Sequence, residues 1–207
     1  MIVALLVAAA YLIGAFPTSF VVARITRGID LRQHGSGNLG ATNAYRVLGW
    51  KAATPIFIVD IAKGFIPTFF FPAIDGSDAF GWTLAYGTAA IVGHVFSIYV
   101  RFRGGKGVAT GAGVFLALSP VAVLVGLVIW GVLVYLTGYV SLASIVSAAA
   151  LPVTVALSGA RVEVLVLALA LAAFVIFAHR ANMRRLLRGE EHRFGRRSRS
   201  AEEVGSE

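Results

Sequence analysis

The chain has 207 residues, 58% of them hydrophobic and 14% charged, with a mean hydropathy of +0.83 and a formal net charge of +8. An ordinary soluble domain carries roughly 25% charged residues, so this composition excludes one and points to an integral membrane protein. Cysteine is absent, which rules out disulfides, a thiolate nucleophile and Cys-based metal or iron–sulfur sites. The four histidines (His34, His94, His179, His192) form no i,i+4 pair, and neither a metal nor another cofactor is expected.

A membrane span needs about 20 apolar residues. Residues 2–23 form the first. They lack a basic N-terminal region and a cleavage site, so the segment reads as a retained span, bent at Pro17, rather than a signal peptide. Residues 54–74 form a second span that carries Asp60 and Lys63, and residues 79–100 a third that carries His94. Apolar sequence then runs from 108 to 158, broken at Ser119-Pro120 and Thr137-Gly138 into 108–118, 121–136 and 139–158; residues 162–178 close the series. The expectation is an all-α polytopic membrane protein with about seven transmembrane helices. One of them is short: residues 108–118 extend on the order of 16 Å, half of a hydrocarbon core of about 30 Å. It is either a squat span buried among its neighbours or one of a pair of half-insertions.

With seven crossings, residues 24–51, 101–107 and everything after 178 fall on one side. That side carries all 18 Lys and Arg residues except Lys63 and Arg161. The positive-inside rule therefore puts the N-terminus outside and the C-terminus in the cytoplasm. A single membrane domain is expected over residues 1–187. A disordered cytoplasmic tail follows over 188–207, where Arg and Glu mix without apolar periodicity.

Three polar motifs stand out, all on the basic side. The first is Gly35-Ser36-Gly37-Asn38-Leu39-Gly40-Ala41-Thr42-Asn43-Ala44-Tyr45-Arg46. Its glycines let N–H groups turn toward a ligand, Ser36, Asn38, Thr42 and Asn43 offer side-chain hydrogen bonds, and Arg46 adds a forked cation suited to phosphate. The second, Arg103-Gly104-Gly105-Lys106-Gly107, leads into the short helix, whose N-terminal amides and dipole favour an anion. It is not a Walker P-loop, because Gly107 rather than Ser or Thr follows the lysine. The third, His179-Arg180-Ala181-Asn182, continues the last span; on a straight helix His179 and Asn182 share a face at i,i+3. Asp60 and Lys63 form an intramembrane i,i+3 pair, read either as a structural pair or as support for the first loop. His94 reads as a satisfied core histidine, and Ser141 as a helix cap or a ligand donor.

Three groups of residues together resemble the PlsY family of bacterial membrane acyltransferases. They are Ser36-Gly37-Asn38-x-Gly40-x-Thr42-Asn43-x-x-Arg46; Gly93-His94 with Phe102-x-Gly104-Gly105-Lys106-Gly107-Val108-Ala109-Thr110; and His179-Arg180-Ala181-Asn182 with Arg185-Leu186 and Gly189-Glu190. The likeness runs to about Glu191. One departure is Ser97, where the family commonly has proline; it touches no expected ligand.

The resemblance implies transfer of a fatty acyl group from acyl phosphate to the sn-1 hydroxyl of glycerol 3-phosphate, giving lysophosphatidic acid and phosphate. It implies Lys106, His179, Asn182, Thr42 and Asn43 as catalytic residues. Ser36, Gly37, Asn38, Arg46, Gly104, Gly105, Gly107 and Ser141 are then expected to bind substrate. The expected partners are acyl phosphate, glycerol 3-phosphate and membrane lipids, with room for contact with a soluble enzyme that forms acyl phosphate; nucleic acid is not expected. The expected location is the bacterial inner membrane, with the site facing the cytoplasm. No His-x4-Asp box is present, and no Ser-His-Asp order is evident, so direct attack by the glycerol hydroxyl is expected, with positioning and electrostatic stabilisation supplying most of the rate. Two other readings stay open at this point: a transporter of a phosphorylated small molecule, and a structural lipid-binding subunit.

Overall fold

A computed structural model describes residues 1–76 and 79–194, and every regular element among them is helical. The expected first span is split into α1 (Ile2–Ala15) and α2 (Thr18–Arg27) at Phe16-Pro17, where proline removes a donor and holds the preceding residue extended. After α2 the first polar motif runs into α3 (Ala41–Leu48). The long α4 (Trp50–Asp75) follows, and then α5 (Phe80–Val95) with a 3-10 turn at Ile98–Val100. The short α6 (Val108–Leu118) has the expected bounds. Next come α7 (Pro120–Thr137), α8 (Val140–Leu157), α9 (Val162–Ala178) and α10 (Arg180–Leu187).

Among the described residues five helical segments are long and apolar enough to cross a membrane, and the bent pair α9–α10 makes a sixth. With α6 they form the expected series of about seven. The third motif does not continue α9 straight, however: the chain bends by 54° at His179. That bend replaces the straight i,i+3 face expected for His179 and Asn182: His179 caps both α9 and α10, and Asn182 lies in the first turn of α10.

Close approach of backbones fixes the bundle. A Cβ on Gly64 would lie 2.1 Å from the Thr110 carbonyl oxygen, and one on Gly113 2.0 Å from that of Ile61, so α4 and α6 cross with nothing between them. Small residues serve this purpose inside membranes, where helices gain little from hydrophobic burial against one another. On the far side of α6, Val114 and Phe115 are wholly buried in a cluster with Val155, Ala168, Leu171 and Val175 of α8 and α9. The short helix is therefore a central wedge, packed among its neighbours.

The shortness of α6 also has a local cause. After α5 the chain turns away through residues 96–103 and then comes back. The Gly104 N–H donates to the Val95 carbonyl (2.9 Å) and the Gly105 N–H to the His94 carbonyl (3.1 Å). The glycine loop is thus pinned to the last turn of α5, and α6 starts from that level.

The tail expected from residue 188 lies mostly outside the described residues. Its first part, 188–194, packs back on the bundle: the Phe194 N–H donates to the Gly138 carbonyl (2.7 Å), and the Phe194 ring stacks on Tyr45 at 4.4 Å. Residues up to 194 therefore touch the bundle.

Candidate active site

The first motif is a loop organised from within by one side chain. Asn43 is buried at the start of α3. Its Oδ1 accepts from the Ser36 N–H (2.8 Å), and its Nδ2 faces the carbonyls of His34 (3.0 Å), Asn38 (3.0 Å) and Leu31 (3.3 Å). Both Nδ2 hydrogens and the oxygen of Asn43 are thus engaged in holding the loop. Gly37 needs its freedom here, with φ at +71° and the Arg32 carbonyl 3.0 Å from where a Cβ would sit. The side chains of Ser36, Asn38 and Thr42 make no hydrogen bond among the described residues, and so remain available to a ligand.

The second motif differs from expectation in one respect. The amides of Gly104 and Gly105, expected to face an anion, are committed to the Val95 and His94 carbonyls. The reason is packing: a Cβ on Gly104 would fall 1.9 Å from the His94 carbonyl oxygen, and one on Gly105 2.2 Å from His94 Nε2. These glycines are needed for close approach to α5. Gly107 adopts φ +78° as the residue that caps α6. The amides of Lys106 to Ala109 make no hydrogen bond among the described residues, so the donors open to an anion begin at the lysine.

The three motifs meet at Asn182 and Glu191. Lys106 Nζ donates to Asn182 Oδ1, and Asn182 Nδ2 donates to Glu191 Oε1 (2.8 Å). Ser141 Oγ donates to the same oxygen (3.0 Å), and Arg185 Nε to Oε2 (2.7 Å). Arg46, from the first motif, places Nη2 3.8 Å from Oε1. Glu191 is only 5% exposed. Its role was not legible in the sequence, where it sits within the stretch assigned to the tail. The one signal was that the family likeness ran to this position.

The electrostatics follow from burial. Burial opposes the charge on Glu191, yet hydrogen bonds from Asn182, Arg185 and Ser141 prevail and hold its carboxyl below the usual carboxylate range. Burial lowers Lys106 to about 8; Glu191 pulls the other way, while Arg185 and Arg46 push it further down. Burial also lowers Arg46, against the attraction of Glu191. Lys106, Arg46 and Arg185 thus surround one carboxylate, and the cluster keeps two positive charges in excess. Beside it, His179 is buried with Nδ1 2.8 Å from the Val175 carbonyl. A carbonyl can only accept, so Nδ1 carries the hydrogen, and the neutral ring presents the lone pair of Nε2.

A helical membrane protein whose polar motifs carry unspent polar side chains and meet in a net cationic cluster belongs to the class of integral membrane proteins that handle anionic, phosphate-bearing molecules. The comparisons narrow the class. Residues 4–189 match the family described as glycerol-3-phosphate acyltransferase, and the chain belongs to that family.

A glycerol-3-phosphate acyltransferase of Geobacter sulfurreducens is 44% identical over 190 residues, covering 92% of this chain and 96% of the relative. One from Endomicrobium trichonymphae is 43% identical, covering 88% and 91%. A crystal structure of PlsY, an integral membrane glycerol 3-phosphate acyltransferase in its glycerol 3-phosphate form, superposes with a TM-score of 0.87 at 40% identity, covering 93% of this chain and 96% of that one. The lysophosphatidic acid form gives 0.83 at the same identity. The protein is an enzyme, an acyltransferase of phospholipid biosynthesis. The transporter and lipid-binding readings are set aside.

Proposed function

We propose that this enzyme transfers a fatty acyl group from acyl phosphate to the sn-1 hydroxyl of glycerol 3-phosphate, releasing lysophosphatidic acid and phosphate. The observation that carries the reading is the cluster at Glu191. Three cations around a single buried carboxylate suit a bound phosphate dianion, which the excess of two positive charges would balance. Crystal structures of a 40%-identical PlsY in glycerol 3-phosphate and lysophosphatidic acid forms support the acceptor and the product.

Acyl phosphate is a mixed anhydride and already activated, so the protein has to position and stabilise rather than form a covalent intermediate. The glycerol hydroxyl oxygen bonds to the acyl carbon while the bond from that carbon to the bridging phosphate oxygen breaks, and phosphate leaves with the electron pair. The hydroxyl proton passes to His179 Nε2 and from there to a phosphate oxygen, so the ring ends neutral. Lys106, oriented by Asn182, joins Arg46 in holding the phosphate of glycerol 3-phosphate and, with the open amides after it, stabilises the departing phosphate. Arg46 and the free hydrogen-bonding groups of Ser36, Asn38 and Thr42 hold the acceptor, while Gly37 and Asn43 shape their loop. Gly104, Gly105 and Gly107 bring Lys106 into place, and Ser141 supports Glu191.

The distribution of Lys and Arg supports an N-terminus outside the bacterial inner membrane and a site that opens to the cytoplasm. Both substrates can reach it there, acyl phosphate by way of the bilayer or from a soluble enzyme that makes it. The single membrane unit extends to the residues that carry Glu191. Incubation of purified protein with acyl phosphate and glycerol 3-phosphate is expected to yield lysophosphatidic acid and phosphate in equal amounts, with no turnover of acyl-CoA. Comparable use of acyl-CoA would overturn the choice of donor.

A further inference from the structure

Asp60, Lys63 and His94 are 2%, 5% and 6% exposed, and none of them contacts the Glu191 cluster. Charged groups buried at this depth are costly unless every valence is met. Lys63 meets all of its own: Nζ lies 2.8 Å from Asp60 Oδ1, 3.1 Å from the Phe16 carbonyl oxygen and 3.0 Å from His94 Nδ1. The Phe16 carbonyl belongs to the break between α1 and α2. Thr18, just beyond the break, donates to Asp60 Oδ1 (3.2 Å), and neighbouring Ser19 donates to the Leu39 carbonyl in the first motif (2.7 Å). One ammonium therefore ties together the broken helix, α4 and α5, within one residue of the first loop.

The same ammonium sets the histidine. An ammonium only donates, so Nδ1 must offer a lone pair and Nε2 carries the hydrogen. The ring is then held edge-on to the glycine loop. The three atoms nearest to a Cβ on Gly105 are His94 Nε2 at 2.2 Å, Cε1 at 2.8 Å and Cδ2 at 3.2 Å. The space left among Phe16, Thr18, Leu39, Asp60, Gly104 and Gly105 is about 10 Å³, barely the room that a single water needs. The ring has nowhere to retreat. Lys106 is the next residue in the chain.

We propose that Lys63 and His94 are positioning residues: the lysine-locked imidazole is a backstop that fixes the glycine loop, and through it the height at which Lys106 meets a phosphate. This rests on the reading that Lys106 holds a substrate phosphate.

The test is a double-mutant cycle on monodisperse, detergent-purified protein, reading kcat and KM for glycerol 3-phosphate separately. Gly105→Ala is expected to lose about tenfold or more in kcat/KM, because its methyl group collides with the ring. His94→Ala alone is expected to raise KM severalfold, since the loop loses its stop. The Gly105→Ala/His94→Ala double variant is expected to be at least as active as Gly105→Ala, because the obstacle has gone; residues in contact depart from additivity in this way. His94→Asn retains an acceptor for Lys63 but nothing that reaches Gly105. It is expected to keep the wild-type melting temperature while its KM still rises.

A double variant whose loss is the product of the two single losses would overturn the proposal. So would His94→Ala or His94→Asn with wild-type kcat and KM. If Lys106→Ala is impaired while the His94 variants are not, this inference alone fails; if Lys106→Ala itself keeps wild-type kinetics, the reading beneath it fails.

Discussion

Two lysines flank the glycine loop and illustrate opposite uses of a buried cation. Lys63 spends all three donors inside the protein, on a carboxylate, a carbonyl and an imidazole. Lys106 makes one hydrogen bond among the described residues, to Asn182, and keeps two donors free. The first pattern is that of a structural joint, and the second that of a site that awaits a ligand. The surroundings agree: Lys63 lies in a packed junction between helices, whereas Lys106 faces an excess of positive charge gathered around Glu191. A lysine's unspent valences, rather than its burial, identify it as a ligand-binding group.

The sharpest way to break this contrast is to remove the unspent cation. Lys106→Ala is expected to lower turnover a hundredfold or more, since loss of a charge-assisted contact to the developing phosphate costs roughly 3 kcal/mol. Lys106→Arg is also expected to be poor, because a planar fork cannot replace a compact ammonium beside Asn182. Steady-state assay of the folded variants checks both. Arg46→Ala should have a smaller effect, raising KM for glycerol 3-phosphate about tenfold, or about 1.4 kcal/mol, because Arg185 and Lys106 remain.

The pH profile sharpens the same point. Lys106 lies near 8 in place of 10.5, so the free enzyme carries the ammonium below that value and loses it above. The ratio kcat/KM should therefore fall as pH rises through about 8, while kcat, which reports the phosphate-loaded enzyme, should fall only at higher pH. A kcat/KM that stays flat to pH 9.5 would contradict this. Ser141→Ala, which removes one of several hydrogen bonds to Glu191, should cost about 1 kcal/mol, a severalfold loss. Arg197→Ala, at a position outside the described residues and beyond the residues that match the family, should change activity by less than about twofold.

Much of the fold was legible because hydropathy and its breaks mark helix ends directly: Val108–Leu118 and Val162–Ala178 stand where the sequence put them. The reason for the short helix was not legible, since it lies in a long-range return of Gly104 and Gly105 to the carbonyls of α5. The three motifs could be found as islands of polar residues, but composition does not say where a polar group spends its hydrogen bonds. Asn43 turned out to hold its own loop, and the Gly104 and Gly105 amides to hold α5. Glu191 was hidden for the opposite reason: set among Gly189, Glu190 and Arg193, it looks like solvated charge, and only the folded chain brings Ser141 to it from fifty residues away. The bend at His179 carries no proline or glycine to announce it.

The three motifs assemble one cationic seat for a phosphate, with Lys106 at its centre. The most direct test is equilibrium binding of glycerol 3-phosphate to the purified protein and to Lys106→Ala at pH 7, without acyl donor, with each shown to be monodisperse. The account predicts saturable binding by the wild type and at least tenfold weaker binding by the variant. Equal affinity in the two proteins would mean that the phosphate sits elsewhere, and would contradict it.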